Sequence, residues 1–442
     1  MKTPIYDFVR AYADSSAARL HMPGHKGREY LGCEPLDITE IGGADVLYSP
    51  DGIIKESEDN ATALFGTAHT FYSTQGSTLA IQAMLTLAIN GRKSDTPPTV
   101  LAARNVHKAF VHAAALLDID VCWLYPERPS HICSAVITPA SLEAALANGS
   151  YAAVYVTSPD YLGNIADIAS LSKVCDRYGI PLLVDNAHGA YLAFTEPSMH
   201  PIALGAAMCA DSAHKTLPTL TGGAYLHVSR SWPQYAEGAR SALSLFASTS
   251  PSYLILSSLD LTNRYLAADY PTALSECIAK IDEIRRVSKA PTIPSEPLKM
   301  VFRCTDFGYT GGEFCAYLRN FGIECEFSDD TYTVLMITPS NTPAELDALR
   351  TALTSVSVRP SVTDTAEPTL TPGELVMSIR QAILSPRETV PVDFAISRIA
   401  ATPTVSCPPA IPIVISGERI TDTAVALLKR YGIENIEVVK NA

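Results

Sequence analysis

The chain has ten cysteines but no C-x-x-C pair, so it lacks the spacing from which structural zinc sites and paired redox thiols are built. Buried free thiols in a reducing compartment are expected, with no metal. No apolar run approaches the roughly eighteen residues needed to cross a bilayer, and Met1-Lys2-Thr3-Pro4-Ile5-Tyr6-Asp7-Phe8 contains no apolar signal core or small-residue cleavage site. A cytoplasmic protein with no membrane partner follows as the expectation. Positive charge is also scarce: the net charge of −13 argues against nucleic acid, favours solubility and is only weak evidence for a cationic ligand. Internal repeats and low-complexity blocks are missing as well.

What remains is a chain of 442 residues, 47% hydrophobic, long enough for two or three cores. Residues 1–60 read as an arm in which Gly and Pro enforce turns rather than a core, as in Leu20-His21-Met22-Pro23-Gly24-His25-Lys26-Gly27. From 61 to 265 apolar strands alternate with helical patterns. Strands are expected at 99–102, 121–124 and 152–156, with helices at 108–117, 140–147 and 165–178. This predicts an α/β domain with a mostly parallel central sheet covered on both faces. Residues 266–360 read as a smaller α+β domain, with strands at 300–303 and 332–337 and a helix at 344–356. Residues 361–442 form a C-terminal unit, entered through a Thr, Pro and Ser rich linker spanning 358–372.

Two apolar runs, Pro181-Leu182-Leu183-Val184 and Ala206-Ala207-Met208-Cys209-Ala210, read as buried strands ending beside Asp185 and just ahead of Lys215. Ligands of such sheets sit beyond the carboxyl ends of the strands. An acid and a lysine there suit pyridoxal 5'-phosphate (PLP): the lysine forms the Schiff base, and the carboxylate keeps the pyridine nitrogen protonated. Gly76-Ser77-Thr78 at the start of an apolar helix offers a phosphate cradle, although hydroxyls before a helix are more often simple N-caps. Ser212 and His214 stand where they could complete it. His107 begins a helix after a strand; it either stacks on a cofactor ring or only caps the helix. His188, three residues past Asp185, either touches cofactor and substrate or orients the aspartate. Asp51, Glu56, Glu58 and Asp59 could attract a substrate cation, but a charge run is usually a solvated face. Ser252 before Tyr253 reads equally as an active-site turn or a cap, and Glu418 as a surface carboxylate or a partner for a substrate amine.

Seven blocks stand in order: His21-Met22-Pro23-Gly24-His25-Lys26, Leu64-Phe65-Gly66, Gly76-Ser77-Thr78, Arg104-Asn105-x-His107-Lys108, Thr157-Ser158-Pro159-x-Tyr161-x-Gly163, Asp185-x-Ala187-His188-Gly189 and Ser212-x-His214-Lys215-Thr216-Leu217. Together with Pro408-Pro409-Ala410-Ile411-Pro412 and Gly417-Glu418, they resemble the bacterial ornithine/lysine/arginine decarboxylase family, in its short form without an N-terminal wing domain. The resemblance implies the type I PLP-dependent transferase fold of aspartate aminotransferase, PLP as cofactor, and decarboxylation of a basic amino acid, which is chemistry of polyamine biosynthesis. It implies that Lys215 carries the cofactor, Asp185 pairs with its ring nitrogen, and His107 stacks on the ring. Ser77, Thr78, Ser212 and His214 would hold the phosphate, and His188 would face the cofactor or substrate. Asp51, Glu56 and Glu418 become candidates for the substrate's distal cation. A homodimer or higher homo-oligomer is implied too, with active sites between subunits. The chain departs from the family's usual pattern at Gln75, at Thr221-Gly222-Gly223-Ala224, and at Cys407 and Ala410. The competing readings are a PLP aminotransferase or carbon–sulfur lyase on the same fold, and a non-catalytic regulatory homologue.

Overall fold

The computed structural model describes residues 1–90, 97–127, 131–362, 371–404 and 409–440; Cys407, Pro408 and the middle of the linker lie outside them. In chain order, α1 (Pro4–Ala13) and α2 (Ile53–Phe65) lead to β1 (His69–Ser73), α3 (Gly76–Ile89), β2 (Thr99–Ala103) and α4 (Lys108–Leu117). Then come β3 (Asp120–Leu124), α5 (Pro139–Ala147), β4 (Ala153–Thr157), α6 (Ile168–Tyr178), β5 (Leu182–Asp185) and β6 (Met208–Asp211). A single-turn α7 (Ala213–Thr216) precedes β7 (Ala224–Val228), α8 (Tyr235–Ser244), α9 (Tyr253–Leu266), α10 (Tyr270–Val287) and β8 (Thr292–Ile293). The chain finishes with β9 (Lys299–Arg303), α11 (Gly311–Arg319), β10 (Phe327–Ser328), β11 (Tyr332–Met336), α12 (Pro343–Ser355), α13 (Ile379–Leu384), β12 (Arg387–Pro391), α14 (Asp422–Arg430) and β13 (Asn435–Val439).

Local chemistry explains many of the boundaries. Thr138, Thr310, Thr342 and Ser378 each cap a helix whose third residue bonds back to the cap, satisfying two amides that the helix itself leaves unpaired. Helix α6 starts three residues later than the periodicity alone predicts, immediately after Asp167, a residue type favoured at the N-cap. Ser252 accepts the Ile255 N–H as the cap of α9, so that hydroxyl reads as a cap and not as a site turn.

The chain divides into two compact units. The first comprises Met1–Arg92, Ala153–Ser158 and Ile168–Ala273. Its strands are ordered β1-β7-β6-β5-β4, with β4, β5 and β6 parallel and β7 antiparallel to both of its neighbours. Every residue of β5, β6 and β7 is buried, which is why these strands read as unbroken apolar runs rather than alternating ones.

The arm departs from expectation. Residues 4–13 form α1 and bury Ile5 and Val9 completely, each contributing roughly 1.5–3 kcal/mol of apolar burial. The start of α1 has no cap of its own; Asp260 on α9 supplies one, its Oδ2 accepting the N–H groups of Ile5 and Tyr6 at 2.9 and 3.0 Å. Glu58 is likewise no part of a solvated face. It is 0% exposed, accepts the Tyr72 N–H at 2.9 Å and pairs with Arg240 at 2.6 Å.

Asp260 also carries a pH signature. Burial pushes its carboxyl up to about 6, against an ordinary value near 3.8. A raised carboxylate favours the fold fully only below the unfolded value, and that contribution is lost as pH rises from about 4 through about 6. Asp260→Asn keeps an acceptor for both amides and does not ionise. Between pH 4 and pH 7 the parent should therefore lose about 2 kcal/mol of unfolding free energy relative to this variant. Parallel pH dependences in urea titrations of the two proteins would refute this.

The second unit comprises Lys93–Ala152, Pro159–Asp167 and Leu274–Ala442. In it β2 and β3 pair in parallel, β10-β11-β9-β8 form an antiparallel sheet, and β12 pairs with β13. Its core gathers Val301, Phe327, Val334, Val392, Leu427 and Val438. The nine described cysteines are unbridged, and Cys122 is exposed rather than buried. Among the described residues, no helix is long and apolar enough to cross a membrane.

Candidate active site

Strands β5 and β6 are parallel neighbours, with Asp185 opposite Ala210, so their carboxyl ends share one edge of the sheet. Asp185 closes β5 and is 2% exposed. Its Oδ2 accepts the Tyr155 hydroxyl from β4 at 3.2 Å, and its Oδ1 accepts the Ala187 N–H at 3.3 Å. Burial pushes its carboxyl upward, and the positive charge of Lys215 pulls it back.

Beyond β6, α7 turns only once and presents His214 and Lys215 at its end. Lys215 Nζ lies 2.9 Å from His188 Nε2, so the lysine, His188 and the Asp185 strand end converge in the first unit. Ser212 donates its hydroxyl to Ser77 Oγ at 2.7 Å, which joins the Lys215 turn to the first turn of α3. The cap position of α3 is Gln75, with no side-chain bond, so Ser77 and Thr78 lie inside the helix start rather than capping it. Gly76 sits at φ +70 and donates its N–H to the Gly222 carbonyl at 2.7 Å.

Those contacts account for the glycines at 222 and 223. A Cβ on Gly222 would come within 3.1 Å of the Thr74 carbonyl, and one on Gly223 within 2.3 Å of Thr219 Cγ2. The Gly223 carbonyl also accepts the Nδ1–H of His214 at 3.0 Å. Burial and the neighbouring Lys215 hold His214 below the ordinary histidine value, leaving a neutral ring with Nε2 as its second polar atom.

His107 belongs to the second unit, where its Nδ1 accepts the Ala109 N–H at 3.1 Å and caps α4. That unit also brings two of the sequence blocks together. Arg104 donates to the Pro412 and Ile413 carbonyls at 2.8 and 3.1 Å, and the Lys108 N–H donates to the Ala410 carbonyl at 2.9 Å. Glu418 is 5% exposed, hence no surface carboxylate, and its Oε2 accepts the Ile415 N–H at 3.1 Å. Burial raises its carboxyl while the Arg104 charge lowers it.

The acidic candidates of the arm are placed differently. Asp51 is exposed beside a cavity of about 270 Å³ that Glu40 and Asp45 also line, and Glu56 faces Lys2 at 3.9 Å. Among the described residues neither is bonded to Asp185, His188 or Lys215. Sequence reading missed Tyr155, whose apolar strand gives no sign that its hydroxyl meets an acid on β5. It also missed the bond from the Asn186 side chain to Asp211 at 2.7 Å, and the Arg104 latch.

A family model for the Orn/Lys/Arg decarboxylase major domain matches residues 3–305, and one for that family's C-terminal domain matches 359–432. The chain belongs to the Orn/Lys/Arg decarboxylase family. An arginine decarboxylase of Bacillus subtilis is 31% identical over 462 residues, covering 97% of this chain and 93% of its own. One from Halalkalibacterium halodurans is 30% identical over 465 residues, with the same two coverages, 97% and 93%. Among solved structures, a Francisella novicida lysine decarboxylase superposes with a TM-score of 0.81 at 16% identity, over 99% of this chain and 81% of that one. A Sphingomonas wittichii serine palmitoyltransferase reaches a TM-score of 0.57 at 14% identity, over 80% and 83%. The fold is thus the α/β fold of the type I PLP-dependent enzymes. As a family member the chain is an amino-acid decarboxylase, and family and fold both imply PLP as its cofactor.

Proposed function

We propose that this decarboxylase takes a basic amino acid, lysine, arginine or ornithine, and releases the corresponding amine and carbon dioxide with PLP bound through Lys215. The observation that carries the reading is the convergence of Lys215 Nζ on His188 Nε2 at 2.9 Å beside the buried Asp185 strand end, in a chain of this family.

PLP fits the residues present. Asp185 is a buried carboxyl that burial alone leaves unfavourably charged, the environment that a cationic pyridine nitrogen relieves. Ser77, Thr78, Ser212 and the N-terminal amides of α3 would hold the phosphate, where the helix dipole favours an anion. His214 would join them through Nε2, and His107 would supply a flat ring face. When bound, the cofactor supplies a sink for the electron pair left as carbon dioxide departs. The protein's part is orientation and proton handling. Tyr155 steadies the acid, and Lys215 and His188 share a hydrogen bond across which a proton can return to the substrate carbon.

Recognition of the distal cation rests on carboxylates contributed across a dimer interface, where exposed groups become buried, with Glu418, Glu56 and Asp51 as the candidates. Losing one member of a buried charge pair should cost roughly 2–5 kcal/mol of binding, read mainly as a raised KM. Glu418→Gln and Glu56→Gln should therefore weaken lysine, arginine or ornithine while leaving a neutral amino acid unaffected. Unchanged kinetics with all three would remove these carboxylates from the reading. Measuring released amine and carbon dioxide across that panel tests the proposal itself: keto-acid or thiol products would point to an aminotransferase or carbon–sulfur lyase, and absence of turnover to a regulatory homologue.

A homodimer or higher oligomer in the cytoplasm completes the proposal. Its support is the exposed apolar set Leu20, Met22, Tyr30 and Leu31 in the arm, which a second copy would cover. The product amine is of the class used in polyamine biosynthesis.

A further inference from the structure

Asp211, the last residue of β6, is completely buried and is met by donors on both oxygens. His200 Nε2 and His227 Nε2 reach Oδ2 at 3.0 and 3.1 Å, while Asn186 Nδ2 and the Cys209 thiol reach Oδ1 at 2.7 and 3.6 Å. The other ring nitrogens are already engaged: His200 Nδ1 accepts the Ile202 N–H at 3.4 Å, and His227 Nδ1 lies 2.8 Å from the Thr70 hydroxyl. With Nδ1 of each ring as acceptor, the proton of a neutral imidazole sits on Nε2, pointing at Asp211. The ligand atoms of His200, Cys209, Asp211 and His227 all lie within 4.8 Å of one another, a set of types that also suits zinc. Both imidazoles address the same oxygen at hydrogen-bond length, however, so the carboxylate itself occupies the centre of the cluster.

An isolated carboxylate in a protein core is destabilising by several kcal/mol unless fully bonded, and an apolar residue would fill this position at less cost. The bonds that keep it join parts of the site. Asn186 directly follows Asp185, and its side-chain bridge to Asp211 continues the ladder beyond the last backbone bond, Asn186 N–H to the Ala210 carbonyl at 2.9 Å. Asp211 leads within four residues to Lys215. Among the described residues the Asn186 Oδ1 is buried without a hydrogen-bond partner, and the side-chain bond this amide makes is the one to Asp211.

We propose that Asp211 is a positioning residue: an ionised carboxylate, held by His200, His227 and Asn186, that braces the ends of β5 and β6 and so fixes Asp185 relative to Lys215. The inference rests on the reading of Asp185 and Lys215 as the residues that hold PLP. The fixed charge has a second effect, since it raises the proton affinity of Asp185 and of any cationic group bound there. His227 stays below the ordinary histidine value because of burial, so at neutral pH it donates to Asp211 as a neutral ring.

The test uses the PLP-loaded enzyme and two variants. Asp211→Asn removes the charge, and Asn186→Ala removes only the bridge. Both should take up one PLP per chain, labelled on Lys215 after borohydride, with kcat down roughly 10- to 100-fold and KM little changed. The pH midpoint of the visible Schiff-base band should fall in Asp211→Asn, because a cationic imine loses a nearby negative charge, and should move less in Asn186→Ala. Parent-like kcat and midpoint in both variants would overturn the proposal, and so would one equivalent of tightly held zinc in the parent. If Asp211→Asn does not fold, Asn186→Ala decides on kcat alone. A parent with neither the band nor amine release would instead overturn the PLP reading itself.

Discussion

Lys215→Ala will abolish turnover while leaving the fold intact. The side chain ends a one-turn helix and is only partly buried, so truncating it opens no core cavity and the unfolding transition should stay close to the parent's. Activity should fall by a factor on the order of 10³ or more, since the residue proposed to anchor the cofactor, and hydrogen-bonded to His188, is gone. The visible band of the Schiff base should vanish with it. In the parent, borohydride reduction followed by peptide mapping should place the label on Lys215. A label on Lys26 or Lys108, or a variant that keeps its band, would require another anchor.

Asp185→Asn carries the second large effect. The amide keeps the shape, its oxygen can accept the Ala187 N–H and its NH2 can donate to the Tyr155 hydroxyl, so the protein should fold and retain most of its cofactor. A neutral amide cannot hold a proton on the pyridine nitrogen, and removing one such preorganised group typically costs about 10²–10³ in kcat. The direction also follows from stability. Burial penalises the charged carboxyl here, so its neutral isostere should not weaken the protein lacking cofactor and should raise its unfolding temperature slightly. Activity within a few-fold of the parent would mean that another group protonates the ring. Loss of the folded state would mean that the carboxylate is structural.

The two families of residues in this site were not equally legible. Lys215 and Asp185 could be proposed because each follows an apolar run whose end is a predictable place for a ligand, the Gly76-Ser77-Thr78 block because it opens an apolar helix, and all three because their order matches a family. The same reasoning found helix α4 and strands β2 to β4 within a residue or two, since buried parallel strands and amphipathic helices write their periods into the chain. The contacts of Tyr155, Asn186 and Arg104 escaped it. The bonds of Tyr155 and Asn186 span 30 and 25 residues, and that of Arg104 to Pro412 spans 308; no local pattern encodes an interaction at those separations.

By itself the sequence determined the chemistry on offer: an acid and a lysine beyond strand ends, a glycine and hydroxyls at a helix start, and an alternation of elements compatible with one fold class. Those follow from short-range rules of propensity, period and capping, in which each residue answers mainly to its neighbours. Tertiary structure alone decided which charges are solvated and which are locked. Glu58, in a charge run that reads as a solvated face, and Glu418, for which a surface carboxylate is one of two readings, both lie buried; Asp260 caps a helix 255 residues away, and Asp211 gathers two histidines and an amide around one carboxylate. Burial is a property of the whole packed chain, and in a low-dielectric interior it sets both the cost of a charge and the strength of the bonds that hold it.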